Sequence, residues 1–438
     1  MDAEDEKVKP VGGRILRLYR ILPVVCAVMM IPGCAGMSQD VVPAAAVQQT
    51  PTEAPEPEDP VIEGKVLTNY MGYESDAQKL VIFRENHETE QFEVIEEESG
   101  EVVYRGTILE NEYNAKSEEF AAYGDFSKVT EPGSYYVNAG EYGRSVNFII
   151  SDTLYSELLG GQIDYFLKQS EQTEAEEDAA IKAADILLSY TYFESQYEES
   201  DAEKMPELLK EAKKELDVLL KSKKQSGINT AALAMSVEVF APFDKEYSEE
   251  CLTKAEESFA ELNQDQIEGD RFWAAAELYK LTGKSEYATV IDEYLKEQEP
   301  RGFGKTAVGY YGTLAYLTTT YKTNVDKCTE LMEQLFNDAI EIVEESSADG
   351  YKISLSDNYK EEDAELLLQN ARLLTLMNII SKSQDYVLGV ENHLDYLCGR
   401  NPFETNYLSE ENEMYGKESF IFILSGLKDS YESEETEK

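Results

Sequence analysis

Histidine is nearly missing from this chain: 438 residues include two, His87 and His393. Hydrolytic triads and metal centres built on imidazole therefore have almost nothing to be made from. Tryptophan is scarcer still, with Trp273 alone. The five cysteines are too scattered for a disulfide framework or a zinc signature. Cys26 and Cys34 fall near the N-terminus, and Cys251, Cys328 and Cys398 stand far apart in apolar helical contexts, as buried small hydrophobes do. Basic residues are outnumbered, 39 against 88 acidic, for a formal net charge of -49. Nucleic acid and anionic lipid headgroups would be repelled by such a surface. No EF-hand spacing gathers the acids, so they read as a solvated face rather than a calcium store. A G-x-S-x-G elbow and a phosphate loop are lacking too. Gly302-Phe303-Gly304-Lys305-Thr306 looks like the end of such a loop, but without the first glycine or a preceding strand it reads as a helix-start turn.

What is present is enough for a substantial core: 42% hydrophobic and 11% aromatic residues over a length that suits two or three domains. Residues 1–34 read as an export signal, with Lys7, Lys9, Arg14, Arg17 and Arg20 ahead of a short apolar run, Ile21 to Ile31. Eleven residues are too few to span a bilayer. The run ends in Ile31-Pro32-Gly33-Cys34, which resembles the lipobox of bacterial lipoproteins and implies lipid attachment at Cys34; an ordinary signal or an uncleaved anchor is the alternative. Residues 35–62, rich in Pro, Ala, Gln, Thr and Glu, cannot bury enough surface to offset their ordering entropy and read as a tether.

Residues 63–151 show an apolar period of two, as at Leu80 and Ile82 or Phe92 and Val94. Turns stand at Ser99-Gly100 and Pro132-Gly133, and the pattern predicts a β-sandwich. Residues 152–428 change to a helical period. Met205, Leu208, Leu209, Ala212, Leu216, Leu219 and Leu220 share one face, punctuated by Gly227, and Phe272, Ala275, Ala276 and Tyr279 repeat the pattern before Gly283. About twelve such segments predict six helical hairpins closed into an α/α toroid, with an open helical-repeat array as the alternative. Residues 429–438 form an acidic tail.

Several segments carry a resemblance. Asp395-Tyr396-Leu397-Cys398-Gly399-Arg400-Asn401-Pro402 with Asn406-Tyr407 resembles the D-Y-x-L-G-x-N-P-x-x-x-S-Y segment of glycoside hydrolase family 9, the family of many endoglucanases. Gly399 and Pro402 make it a helix stop followed by an exposed loop. Asn69-Tyr70-Met71-Gly72-Tyr73, the strand led by Lys79, Asp125-Phe126-Ser127 and Gly133-Ser134-Tyr135 resemble the immunoglobulin-like domain that precedes many catalytic domains of this family. Pro206 to Ala212 and Trp273 to Tyr279 resemble its packing helices, with Lys210 and Val218 where the family prefers Asp and Trp.

The resemblance implies an inverting hydrolase, with one carboxylate activating water and a glutamic acid protonating the leaving oxygen. The base loop, G-G-W-x-D-A-G-D, has no counterpart between Gly160 and Met205. The chain passes from Ser170 to Asp178 straight into the next helix, where Asp178 and Asp185 read as solvated carboxylates. The family's His-His-Arg segment is missing as well. For the acid, Asn412-Glu413 ahead of the last helix is the best match, with Glu411 and Glu418 competing. No metal or cofactor is expected. The leading expectation is a lipid-anchored protein of the bacterial cell surface, related to the cellulases, that binds a β-glucan or other polysaccharide, or an envelope protein, without hydrolysis. The alternatives are an active inverting endo-β-glucanase and a helical scaffold with no carbohydrate role.

Overall fold

The computed structural model describes residues 64–86, 88–169, 175–197, 204–224, 226–263, 268–355 and 357–435. The export signal with Cys34, the tether, His87 and the last three residues of the acidic tail lie outside the described residues.

Among the described residues nine strands make the first unit: β1 (Val66–Leu67), β2 (Tyr73–Glu74), β3 (Leu80–Arg84), β4 (Gln91–Glu96), β5 (Val102–Thr107), β6 (Leu109–Asn114), β7 (Glu119–Asp125), β8 (Gly133–Asn138) and β9 (Phe148–Ser151). They form two sheets, ordered β1-β3-β7-β6 and β2-β9-β8-β4-β5, with β2 and β9 the parallel pair. Val81, Phe83, Phe92, Val94, Phe126 and Phe148 fill the space between them. The expected alternation fails on β3, where Leu80, Val81, Ile82 and Phe83 are all buried. The reason is a second covered face: Leu67, Ile82 and Ala121 point away from the sandwich core and into that of the helical unit. A strand buried on both faces reads as a continuous apolar run.

Twelve helices follow among the described residues: α1 (Leu154–Gln169), α2 (Glu176–Phe193), α3 (Glu207–Lys221), α4 (Gly227–Phe240), α5 (Lys245–Glu261), α6 (Gly269–Thr282), α7 (Ser285–Glu297), α8 (Gly309–Thr318), α9 (Val325–Ala348), α10 (Ala364–Ile380), α11 (Gln384–Leu397) and α12 (Glu418–Glu435). Their burial alternates. The even-numbered helices are buried almost all round, as in the run from Gly227 to Ala234 of α4. Odd-numbered helices such as α3 bury one stripe, Leu208, Leu209, Ala212, Leu216 and Leu219, and turn charge to solvent. An inner ring inside an outer ring follows, the α/α toroid. Within the inner ring α2 lies beside α4, α4 beside α6, α6 beside α8, and α12 beside both α10 and α2. The Arg372 side chain of α10 closes the circle by donating to the Tyr311 hydroxyl of α8 at 3.0 Å. Gly227 begins α4 rather than ending α3. Its α-hydrogen side faces Asp270 closely enough that a Cβ would stand 2.5 Å from the carboxylate.

Candidate active site

The inner helices present their N-terminal ends to one rim, where the three candidate acids Glu411, Glu413 and Glu418 stand on the same side as Asp178. Asp178 stands in the first turn of α2, exposed and paired with Lys305 of the loop before α8 at 2.7 Å. Glu411 and Glu413 stand in the turn before α12, and both are exposed. Asn412 shapes that turn, its side-chain oxygen accepting from the Met414 N–H at 3.0 Å. The Gly416 N–H in turn donates to Gln162 of α1 at 2.7 Å, and the rings of Tyr415 and Tyr165 meet edge to face at 4.5 Å. Glu418 opens α12 itself. Removal of its carboxyl from water raises its pKa to about 7; nearby Asp185 pushes the same way, against Lys182 and Lys417. Of the three glutamates it is the one in a setting that suits proton donation near neutral pH. Lys417 pairs with Glu365 in the first turn of α10.

Behind this rim the axis of the toroid is filled. Asp185 is 3% exposed and accepts from the Arg372 guanidinium and the Tyr311 hydroxyl, with the Ser419 hydroxyl at 3.5 Å from its second oxygen. The expectation of a solvated carboxylate is wrong for Asp185. Its helix belongs to the inner ring, so the stretch of α2 from Ala183 to Tyr190 is buried throughout, and an acid there calls for a cation. Arg372 is itself sandwiched, 4.6 Å from the Phe303 ring, while Tyr311 stacks on Trp273 at 4.7 Å. Phe303 comes from the Gly302-Phe303-Gly304-Lys305-Thr306 turn, which leads into α8 as expected of a helix-start turn. A carboxylate so engaged is nearly closed off from water.

On the far side of that plug, toward the C-terminal ends of the inner helices, a small cavity of about 50 Å³ is walled by Leu188, Met235, Leu314 and Glu277. Glu277 accepts from the Trp273 indole at 3.2 Å, and burial raises its pKa to about 7. Its place inside a packing motif gave no sequence signal of a buried acid. Among the described residues no group of three His, Cys, Asp or Glu is arranged to hold a metal. Cys251, Cys328 and Cys398 are free and buried.

The motif-rich stretch from His393 to Ser409 lies elsewhere, at the joint between the two units. Its loop is not exposed: Arg400 and Asn401 are both 0% accessible. Arg400 pairs with Asp395 at 3.0 Å and donates to the Asn392 side chain at 2.8 Å, while Asn69 of the β unit donates to the other Asp395 oxygen at 2.7 Å. The Tyr70 N–H donates to the Cys398 carbonyl at 2.8 Å. Gly399 sits at φ +110°, and a Cβ there would stand 2.6 Å from the Tyr70 ring. Backbone conformation and contact both require glycine. Asn401 closes the loop on itself, donating to the Tyr396 and Thr405 carbonyls at 2.7 Å each. These residues are a hinge pin between domains, held by desolvated polar groups.

Burial perturbs the joint's acids and bases. It lifts Asp395 to about 6 against the pull of Arg400, and Glu391 to about 8, and it lowers Lys79 to about 8 and His393 to about 4. Glu391 accepts from the Tyr155 hydroxyl at 3.2 Å and from that of Tyr431, and both bonds favour the carboxylate, though not enough to offset the loss of water. An acid raised on folding contributes stability below its unfolded pKa, and that contribution is lost as pH rises through the folded value. For Glu391 the window is about 4.5 to about 8. His393 works in the opposite sense, losing stability as pH falls from 6.5 toward about 4. Glu391→Gln, which stays neutral, is therefore expected to be more stable than the parent at pH 8 and equal to it near pH 4.5. Urea denaturation midpoints across that range read the difference directly; a constant offset would mean that Glu391 does not titrate.

Comparison with known proteins agrees with this architecture. Residues 63–144 match the family described as cellulase N-terminal ig-like domain, and residues 226–426 match glycosyl hydrolase family 9. Endoglucanase D of Acetivibrio thermocellus is 21% identical over 482 residues, covering 84% of this chain and 76% of the relative. A cellodextrinase of Butyrivibrio fibrisolvens is 22% identical over 472 residues, covering 80% and 85%. Among solved structures, a metagenome-derived family 9 endoglucanase superposes with a TM-score of 0.69 at 17% identity, covering 78% of this chain and 84% of the other. A Bacteroides ovatus family 9 protein gives 0.68 at 16%, covering 84% and 99%.

Proposed function

Since the chain belongs to glycoside hydrolase family 9, we propose that it is a non-hydrolytic member, one that binds a β-glucan or a related polysaccharide on the bacterial cell surface. The observation that carries this reading is the state of Asp185. It is the buried acid on the axis between the start of α2 and the start of α12, and it is consumed by Arg372 and Tyr311. Inverting hydrolysis needs a carboxylate that holds a water against the sugar, about 6.5–9.5 Å from the acid. Without general-base assistance the rate falls by about two to four orders of magnitude. The relatives' substrate class, named in Endoglucanase D and cellodextrinase, supports a glucan as the ligand that remains.

In the same proposal the chain is exported, cleaved and lipidated at Cys34, and residues 35–62 hold the two folded units away from the membrane. No helix among the described residues is long and apolar enough to cross a bilayer. In this proposal the anchor is the N-terminal segment. An envelope protein is the alternative occupant of the binding surface.

A second reading has one observation in its favour. Glu418, with a pKa raised to about 7, is poised as a general acid, and an active endo-β-glucanase would use it, or Glu413, opposite a carboxylate such as Asp178. Electrophoresis of the purified chain through gels containing mixed-linkage β-glucan tests the binding proposal. Retardation that grows with polysaccharide concentration is expected, and migration identical to that in plain gels would overturn it.

A further inference from the structure

The two units do not close on each other along their whole seam. Next to the Asn69–Asp395–Arg400 joint a cavity of about 260 Å³ remains between strands β3 and β7 on one side and helices α9 and α11 on the other. Its size falls just under the range of roughly 300–1,000 Å³ that encloses drug-sized ligands, which suits one sugar ring. Domain boundaries are also where such sites concentrate.

Its walls have two characters. Leu80, Val343 and the ring of Tyr123 give apolar surface. Lys352 is held against that ring, its ammonium 4.4 Å from the centroid, by bonds to Glu110 and the Ser347 carbonyl at 3.2 Å each. The turn that delivers it places Lys352 at φ +60°, a left-handed conformation that L residues rarely adopt. Asp385, exposed in the first turn of α11, supplies a carboxylate. Asp125 supplies another: one of its oxygens accepts from Ser127, which leaves the second for a ligand. Asn392 gives its side-chain oxygen to Arg400, so its amide nitrogen is left to donate.

Acceptors that take hydroxyl protons, an amide that donates and an aromatic edge beside aliphatic wall match a pyranose, which is polar around its rim and apolar on its faces. An anion would meet Asp125 and Asp385. A cation would meet the Lys352 ammonium already seated on Tyr123. Given the glycan-binding reading above, we propose that this interdomain cavity, and not the axis of the toroid, is where the chain holds a neutral hexopyranose unit of its polysaccharide.

Titration calorimetry of the full chain with cellobiose, methyl β-D-glucoside and D-glucosamine tests the assignment, beside Asp385→Ala and Ser347→Trp. Both positions are exposed, so neither change disturbs the core. Saturable binding of the neutral sugars is expected, weakened about tenfold or more by Asp385→Ala and abolished by the indole that fills the cavity. Parent-like affinity in both variants would overturn the seam site and leave glycan binding in place. Tighter binding of glucosamine than of the neutral sugars would overturn the ligand class. No binding of any sugar by the parent chain would overturn this site and the glycan reading together.

Discussion

Arg372→Met is expected to destabilise the chain by about 3–5 kcal/mol, because it leaves Asp185 buried without its cation. Asp185 would keep the Tyr311 hydroxyl and the distant Ser419, too little to hold a charge at 3% exposure. Restoring an apolar axis with Asp185→Leu in the same chain, and Tyr311→Phe so that no hydroxyl is orphaned, should recover most of the loss, since well-packed hydrophobes replace buried ion pairs at little cost. Urea denaturation of the single and triple variants measures both effects. A loss under about 1 kcal/mol in the single variant would mean that water reaches Asp185, and would remove the main support for a non-hydrolytic site.

Arg400→Met should cost a similar amount, about 3–5 kcal/mol, with a different signature. Arg400 is fully buried and serves Asp395 and Asn392, while Asp395 is also the partner of Asn69 in the β unit. Loss of the guanidinium leaves an unpaired acid between domains, whose burial is then best relieved by parting them. The single cooperative transition expected of the parent should split into two, one for the β-sandwich and one for the toroid. Far-UV circular dichroism, dominated by the helices, and intrinsic fluorescence from Trp273 at the toroid axis would follow one event, and hydrogen exchange at the strand amides of the sandwich the other. Coincident transitions in the variant would show that apolar burial around Leu67, Ile82 and Ala121 holds the units together without the joint.

The comparison of these two centres also explains what could be read from the chain. The sandwich was legible because its turns are local: Gly100, at φ +68°, and Pro132-Gly133 punctuate strands of alternating residues. The helical count was legible for the same reason. Inner and outer helices were less so, since α4 and α10, buried on almost all sides, lose the periodicity that marks α3. The pairs that decide function were beyond local pattern. Arg372 and Asp185 are 187 positions apart, and Asn69 and Asp395 are 326 apart, and a charged residue reads as solvated until its partner is known. Asp185 reads as solvated on that ground. Arg400 reads as part of an exposed loop because Gly399 and Pro402 signal a stop, and a stop signal carries no information about what packs over it. Glu413 follows the N-E order of the family, whereas the desolvated acid of the rim is Glu418, five residues on in the first turn of α12.

Reducing-sugar release from soluble β-1,4-glucan and mixed-linkage glucan, assayed beside Glu413→Gln and Glu418→Gln, bears most directly on the absence of hydrolysis. The full chain, verified as folded, is expected to release no more than either variant does. Release by the parent that disappears in one of the two variants would identify the acid, and would make this protein a working glucanase whose base lies elsewhere than on Asp185.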